Sequence, residues 1–227
     1  MAEKKPIIIV GEGEFAEIAY EYFTVDSPYE VVAFTAERAY LKRDRLFDLP
    51  VVPFEEVENH YDPARYGAFT AITYTQLNRV RVRLFHAVRR KGYLPVSYIS
   101  SRTFVWRNAK IGANCFLFEN NVIQYHVEIG DNVVLWSGNH VGHRSVIRDN
   151  CFVSSHVVIS GYCDVGENCF LGVNSSIGDN VTIARDCVLG AGAVVVKDTE
   201  EGKVYKGNRE PPARVGSLAL FKVKESA

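Results

Sequence analysis

One periodicity dominates this chain. Ile99, Val105, Ile111, Leu117, Ile123, Ile129, Leu135, Val141, Ile147, Val153, Ile159, Val165, Leu171, Ile177, Ile183, Leu189 and Val195 follow one another every six residues without a slip. An unbroken aliphatic run of this length arises by chance with a probability on the order of 10⁻¹⁰, so the repeat belongs to the fold. A period of six matches neither an α-helix nor a single β alternation. It fits a solenoid whose unit is one short strand plus one corner, the ladder residue pointing inward and stacking on its equivalents in neighbouring coils. Gly112, Gly130, Gly142, Gly166, Gly172, Gly178 and Gly190 each follow a ladder residue, which predicts corners with backbone angles that glycine tolerates. Two positions ahead of the ladder stand small or β-branched residues. All five cysteines, Cys115, Cys151, Cys163, Cys169 and Cys187, fall in that slot. A shared register explains them as small inward-facing apolar groups rather than metal ligands or disulfide partners.

Residues 1–97 read differently, as alternating strands and helices. Strands are expected over 6–10, 30–34, 50–52 and 68–73, and helices over 14–23 and 76–90. Gly92 marks the stop of the second helix. This order implies a small parallel α/β domain. The expected division is thus residues 1–97 as a Rossmann-like domain, 98–200 as the all-β solenoid and 201–227 as a tail that caps it or packs on a neighbour. The 227 residues carry a net charge of −1, so no broad field points to nucleic acid or an anionic membrane. The longest purely aliphatic run, Ile7 to Val10, is too short to span a bilayer. The N-terminus lacks the apolar core of a signal peptide, and the expected compartment is the cytoplasm.

The repeats from residue 99 to about 215 resemble the left-handed β-helix, hexapeptide-repeat acyltransferases. With the α/β domain in front, Gly11-Glu12-Gly13-Glu14-Phe15-Ala16 and Asn168-Cys169-Phe170-Leu171-Gly172-Val173-Asn174 resemble the nucleotide-sugar N-acetyltransferases. Bacterial members acetylate 4-amino-4,6-dideoxy sugars carried on UDP, dTDP or GDP, and sialic-acid O-acetyltransferases look similar. The resemblance implies a homotrimer with acetyl-CoA in the groove between adjacent β-helices. Gly138-Asn139-His140-Val141-Gly142-His143 is similar to the segment carrying the family's catalytic histidine, which points to His143 as general base. His140 is the runner-up, and Asn139 either binds substrate, orients His143 or is a small structural residue. In some relatives a glutamate follows the histidine; here Arg144 does. For acetyl-CoA the resemblance points to Val173 and Ala191, eighteen residues apart, with Gly172 and Gly190 leaving room for the pantetheine and His156 lining the groove. Lys206, Arg209 and Arg214 are candidates for the CoA phosphates. Tyr205 to Arg214 is similar to the family's Gly-x-Pro-Ala-Lys/Arg element, with a longer spacer.

Gly11-x-Gly13-x-x-Ala16 after a strand is by itself a dinucleotide fingerprint, and a purely structural turn gives the same letters. Paired with a β-helix it is read as the diphosphate site of a sugar nucleotide. Gly11, Glu12 and Gly13 are therefore substrate candidates, with Thr35, Ala36 and Thr73 at strand C-terminal ends, where ligands of open parallel sheets gather. Gln76, Asn78 and Arg79 are within possible reach, and the arginine-rich side of their helix reads as a solvated face. His126, His140, His143 and His156 occupy different registers of the repeat and give no three-ligand zinc set, so no metal is expected. The leading function is N-acetylation of a nucleotide-linked amino sugar; the alternatives are sugar O-acetylation and a catalytically silent sugar-nucleotide-binding scaffold.

Overall fold

The computed structural model describes residues 4–207, 214 and 217–220. The first ninety-odd residues form β1 (Lys5–Val10), α1 (Glu14–Val25), β2 (Tyr29–Ala36), β3 (Arg45–Leu46), β4 (Leu49–Pro53), β5 (Gly67–Thr70), α2 (Arg79–Arg90) and β6 (Leu94–Pro95). Each expected strand is present within a few residues. The short strands β3 and β6 and the 3-10 turn Phe54–Asn59 carry too little pattern to be read from sequence. The sheet runs β3-β4-β2-β1-β5-β6 and is parallel except for the β3/β4 edge hairpin. β1 has β2 on one side and β5 on the other, so the order reverses at β1 and opens a crevice beyond its C-terminal end.

From Tyr98 the chain winds into a three-faced parallel β-helix of two-residue strands. Face I carries seven strands, from Tyr98–Ile99 to Val204–Tyr205; face II six, from Phe104–Val105 to Val194–Val195; face III five, from Lys110–Ile111 to Thr182–Ile183. Strands pair with the one eighteen residues on, as in Phe116↔Val134 and His140↔Val158, except for the last pair on face I, Val188↔Val204. The ladder residues are the second of each pair, and from Leu117 onward all are buried. All five cysteines are buried free thiols in that core. Cys115 Sγ reaches the Gly130 carbonyl at 3.1 Å, and burial pushes its pKa up to about 12, which leaves it protonated and inert at neutral pH.

The corners correct one expectation. The glycines after the ladder do not carry the left-handed backbone. That conformation recurs three residues after each ladder position, from Asn114 to Gly192, and asparagine holds half of these sites, consistent with its tolerance of positive φ. The post-ladder glycines, Gly178 apart, answer instead to close packing between coils. A Cβ on Gly142 would lie 2.5 Å from the Ser160 carbonyl carbon, and one on Gly112 2.6 Å from that of Gly130.

Two devices join the halves. The first is apolar: Phe15, Ala19 and Phe23 of α1 share one core with Tyr98, Phe116 and Phe152 of face I. The second is polar and takes Arg81 out of the arginine-rich face read as solvated. Its N-terminal half lies along the III/I corner. Asn78 Nδ2 donates to the carbonyls of Asn168 and Cys169, at 3.1 and 3.3 Å, and Arg81 Nη2 to those of Asn150 and Cys151, both at 3.1 Å. Three helical residues rise about 4.5 Å, close to the roughly 4.8 Å between parallel strands, so successive side chains meet successive coils. Arg81 is fully buried, and desolvation draws its guanidinium pKa down to about 10. At the far end, Asp198 and Thr199 close face III. Asp198 Oδ1 accepts from the Thr182 N–H at 2.8 Å, Thr199 Oγ1 from that of Ala184 at 2.7 Å, and the Thr199 N–H donates to the Thr182 carbonyl at 3.0 Å.

Candidate functional site

A cavity of about 980 Å³ lies beyond the C-terminal ends of β1 and β2, between the first turns of α1 and α2. Gly11, Glu12, Gly13 and Ala36 line it, as do Gln76 and Arg79. Gly11 has φ +131°, and a Cβ there would sit 2.7 Å from the Ala71 carbonyl oxygen, so only glycine lets β1 turn into α1 at this point. Gly13 is the N-cap of α1, makes no side-chain cap and has open space above it. The exposed helix end favours an anion, while Glu14 and Glu17 in the first turn oppose one.

Three of the expected contacts fall elsewhere. Thr35 is fully buried and its Oγ1 donates to the Val52 carbonyl at 2.8 Å, so it holds β2 to β4 and does not line the cavity. Thr73 also stands outside the lining, where its neighbours Ile72 and Thr75 take part. Asn78 is buried against the β-helix. Glu12 is nearly buried: its Oε1 accepts from the Lys42 N–H at 2.7 Å, and Oε2 is 3.9 Å from Arg43 Nε. It thus staples the loop after β2 across the cavity. The sequence reading missed Glu37, which directly follows β2 and lines the same cavity. Arg83 Nη1 and Nη2 donate to its two oxygens at 2.6 and 2.8 Å. Those hydrogen bonds, helped by the charge of Arg83, outweigh the upward push of desolvation and hold its carboxyl below the usual range. An acid at the end of the second strand, some twenty residues past a Gly-x-Gly, was the available signal.

The β-helix candidates sit on two other corners. Gly172, Val173, Gly190, Ala191 and His156 all lie at the I/II corner, with Lys206 beside Gly190 in the last coil. Val173 and Ala191 are exposed, and their N–H groups have no partner among the described residues; the Val173 carbonyl accepts from the Gly192 N–H at 2.8 Å. Glycine at 172 brings coils together, since a Cβ there would lie 2.7 Å from the Ala191 nitrogen. Arg214 is exposed; Arg209 and most of the segment after Gly207 lie outside the described residues.

His143 is exposed at the II/III corner, and its N–H donates to Gln124 Oε1 at 2.9 Å. Its ring meets that of Tyr162 edge-on, centroids 5.1 Å apart at 84°. His140 points outward from face II, half-buried. Asn139 is 1% exposed: its Nδ2 donates to the Trp136 carbonyl, its Oδ1 accepts from the Val157 N–H at 2.7 Å, and its own N–H donates to Asn121 Oδ1. All of its polar groups are engaged inside the coil. Arg144 lies between the rings of Tyr125 and Tyr162, 5.4 and 6.0 Å from their centroids. No group of three or more His, Cys, Asp or Glu side chains could hold a metal among the described residues.

Left-handed corners at Arg144 and Tyr162 carry side chains ill suited to that conformation, at a cost of about 1–2 kcal/mol each. Both adjoin His143 at the II/III corner. Strain of this kind gathers at functional sites.

Comparison with known proteins places this geometry. Residues 108–143, 126–161 and 162–197 match the bacterial transferase hexapeptide family (six repeats). No curated protein sequence matches the chain. Among solved structures, a histidine-to-asparagine variant of perosamine N-acetyltransferase from Caulobacter crescentus, in complex with CoA and GDP-perosamine, superposes with a TM-score of 0.80 at 24% identity, over 89% of this chain and 93% of that one. The acetyltransferase domain of PglB from Neisseria gonorrhoeae gives 0.81 at 22%, over 92% and 100%. WeeI from Acinetobacter baumannii gives 0.61 at 19%, over 89% and 97%. These likenesses establish a shared fold, and the parallel three-faced solenoid with its six-residue repeat fits a left-handed β-helix.

Proposed function

We propose that this chain, built on the fold of the hexapeptide-repeat acetyltransferases, is an acetyl-CoA-dependent N-acetyltransferase acting on a nucleotide-linked 4-amino-4,6-dideoxy sugar. The observation that carries the reading is a cavity at the switch point of the α/β sheet joined to a hexapeptide β-helix, in the arrangement shared with a protein that binds CoA and GDP-perosamine. Residues 1–97, Rossmann-like in strand order, take the nucleotide sugar; residues 98–200 take acetyl-CoA along the I/II corner. Glu37, held by Arg83, accepts hydrogen bonds from the ribose or base, and the α1 N-terminus and Arg79 face the diphosphate.

Within one chain the three parts lie apart. The cavity is beside the III/I corner, the acetyl-CoA candidates are at I/II and His143 is at II/III. Between the last two runs face II, whose outward residues include exposed Phe104, Val158 and Val194. A second copy packed on that apolar face sets one chain's I/II corner against its neighbour's II/III corner, which supports a homotrimer with shared sites.

The chemistry is direct acyl transfer. The sugar amine attacks the thioester carbonyl as a free amine, the new C–N bond forms, and the oxygen takes up the negative charge. His143 Nδ1 or Nε2 accepts the amine proton. Collapse of the tetrahedral intermediate breaks the C–S bond, and the departing CoA thiolate recovers a proton from the imidazolium. Holding both substrates in register supplies much of the acceleration. Among the described residues no helix is long and apolar enough to cross a membrane; the proposed setting is the cytoplasm, where nucleotide sugars and acetyl-CoA are made.

The test is thiol release from acetyl-CoA in the presence of UDP-, dTDP- and GDP-linked 4-amino sugars, with sialic acid as hydroxyl acceptor. Release with an amino sugar is expected. Silence with every amino sugar overturns the proposal, and release with sialic acid alone moves it to O-acetylation. In the His143→Ala variant kcat is expected to fall at least a hundredfold with unchanged melting temperature, because the side chain is exposed.

A further inference from the structure

The carboxylate that follows the catalytic histidine in some relatives is Arg144 here, so something else must fix the imidazole. We propose that Gly161 is the positioning residue: its bare Cα is the seat on which the His143 ring lies, with Tyr162 as the wall beside it. The proposal rests on His143 being the base. A Cβ on Gly161 would stand 2.6 Å from His143 Cε1, 2.9 Å from Nε2 and 3.1 Å from Nδ1. The imidazole therefore occupies the volume that any other side chain at 161 would need. Gly161 is not among the positive-φ residues, so its glycine is not explained by backbone freedom. Along this corner the equivalent positions are Tyr125, His143, Gly161 and Asp179, and glycine occurs only next to the histidine.

The seat is rigid. The Gly161 N–H donates to Asp179 Oδ1 at 2.9 Å, and its carbonyl accepts from the Asn180 N–H at 3.0 Å. The wall is held as well. Tyr162 keeps a left-handed backbone, φ 57°, that an asparagine would adopt more readily. Its N–H donates to the His143 carbonyl at 3.0 Å, and its ring closes edge-on against the imidazole. Gln124 holds the His143 N–H from the coil on the other side. Backbone and ring of the histidine are thus located by three neighbours from two coils, none of them a carboxylate. Gly138 also lies against a histidine ring, a Cβ there falling 2.5 Å from His156 Nδ1, but its φ of +79° already accounts for the glycine.

Gly161→Ala separates position from presence. The backbone accepts alanine and the imidazole remains, but it must leave its seat. The expected result is a kcat lowered about ten- to a hundredfold, KM for both substrates within about twofold, and an unchanged melting temperature. Gly178→Ala, whose Cβ would make only ordinary contacts, 3.5 Å from Val196 and 3.7 Å from the Val195 carbonyl oxygen, is the control and keeps the native rate. A readout independent of turnover is the imidazole Cε1–H resonance of His143, assigned by its absence in His143→Asn. It is expected to move in Gly161→Ala as the ring leaves the edge of Tyr162. Native kcat and an unmoved resonance in Gly161→Ala, while His143→Ala is inactive, overturn the seat alone. Full activity in His143→Ala overturns the base assignment, and the seat with it.

Discussion

A corner residue held in the left-handed region at a cost in stability asks for a reason. At Tyr162 the structure offers the edge contact with His143 and the Arg144 guanidinium near its face. Tyr162→Asn is therefore expected to raise stability by about 1 kcal/mol, since asparagine suits the conformation, and to lower kcat. Opposite signs in a melting curve and a rate assay are the signature; a variant that loses both has simply lost packing. Asn139 shows the reverse economy. Every polar group it owns is bonded inside the coil, so Asn139→Ala is expected to strand the Val157 N–H and lower stability by about 1–3 kcal/mol. Rate constants for the surviving folded fraction are expected to be close to native.

Among the elements, α2 joins two functions. Its first turn lines the cavity through Arg79 and Arg83, and the same turn grips the β-helix through Arg81. Arg81→Ala is expected to cost about 1–3 kcal/mol, since the Asn150 carbonyl loses its partner while that of Cys151 keeps the Val134 N–H, and to raise KM for the nucleotide sugar more than for acetyl-CoA. The Glu37–Arg83 pair sets a pH limit. Its carboxyl pKa is depressed in the fold, so the pair's contribution is complete above the unfolded-state pKa and is lost as pH falls through the folded one. Nucleotide-sugar binding followed by thermal shift is expected to persist through the ordinary carboxylate range and fail only below it, and Glu37→Gln to bind weakly throughout. The β-helix was legible because one residue in six must point inward, and that requirement writes itself directly into the letters. The sheet and the Gly11 turn were legible for a similar reason. The burial of Arg81 was not: on a helical wheel it reads as one more surface arginine, and its partners are carbonyls some seventy residues away that no side chain announces. Thr35 was misplaced because the end of a strand is only one residue wide. Ala36 and Glu37 reach the crevice, while Thr35 belongs to the sheet. The spacing of His143 told its coil and corner but not its company, since Gly161 becomes meaningful only when the coils are stacked.

At the scale of the whole molecule, the three faces have three fates. Face I is covered by the α/β layer, face III carries outward charge pairs such as Lys110–Glu128 and Arg148–Asp164, and face II is exposed and apolar. Val158→Lys, at a residue 43% exposed in the single chain, is expected to leave the fold intact, release monomers in light scattering and abolish transfer, because the proposed site draws corners from two copies. A native chain that runs as a monomer contradicts this. The end of the solenoid has a consequence of its own. A stack of parallel strands is an open-ended template: its last coil offers the same row of N–H and C=O groups that each coil below offered, and another chain can continue it. Asp198 and Thr199 occupy part of that row on face III with side-chain oxygens, groups that satisfy the edge without presenting a new one. On face III the molecule thereby counts its own coils: growth along the axis stops there, and assembly is left to the sides, where the apolar face and the proposed shared sites lie.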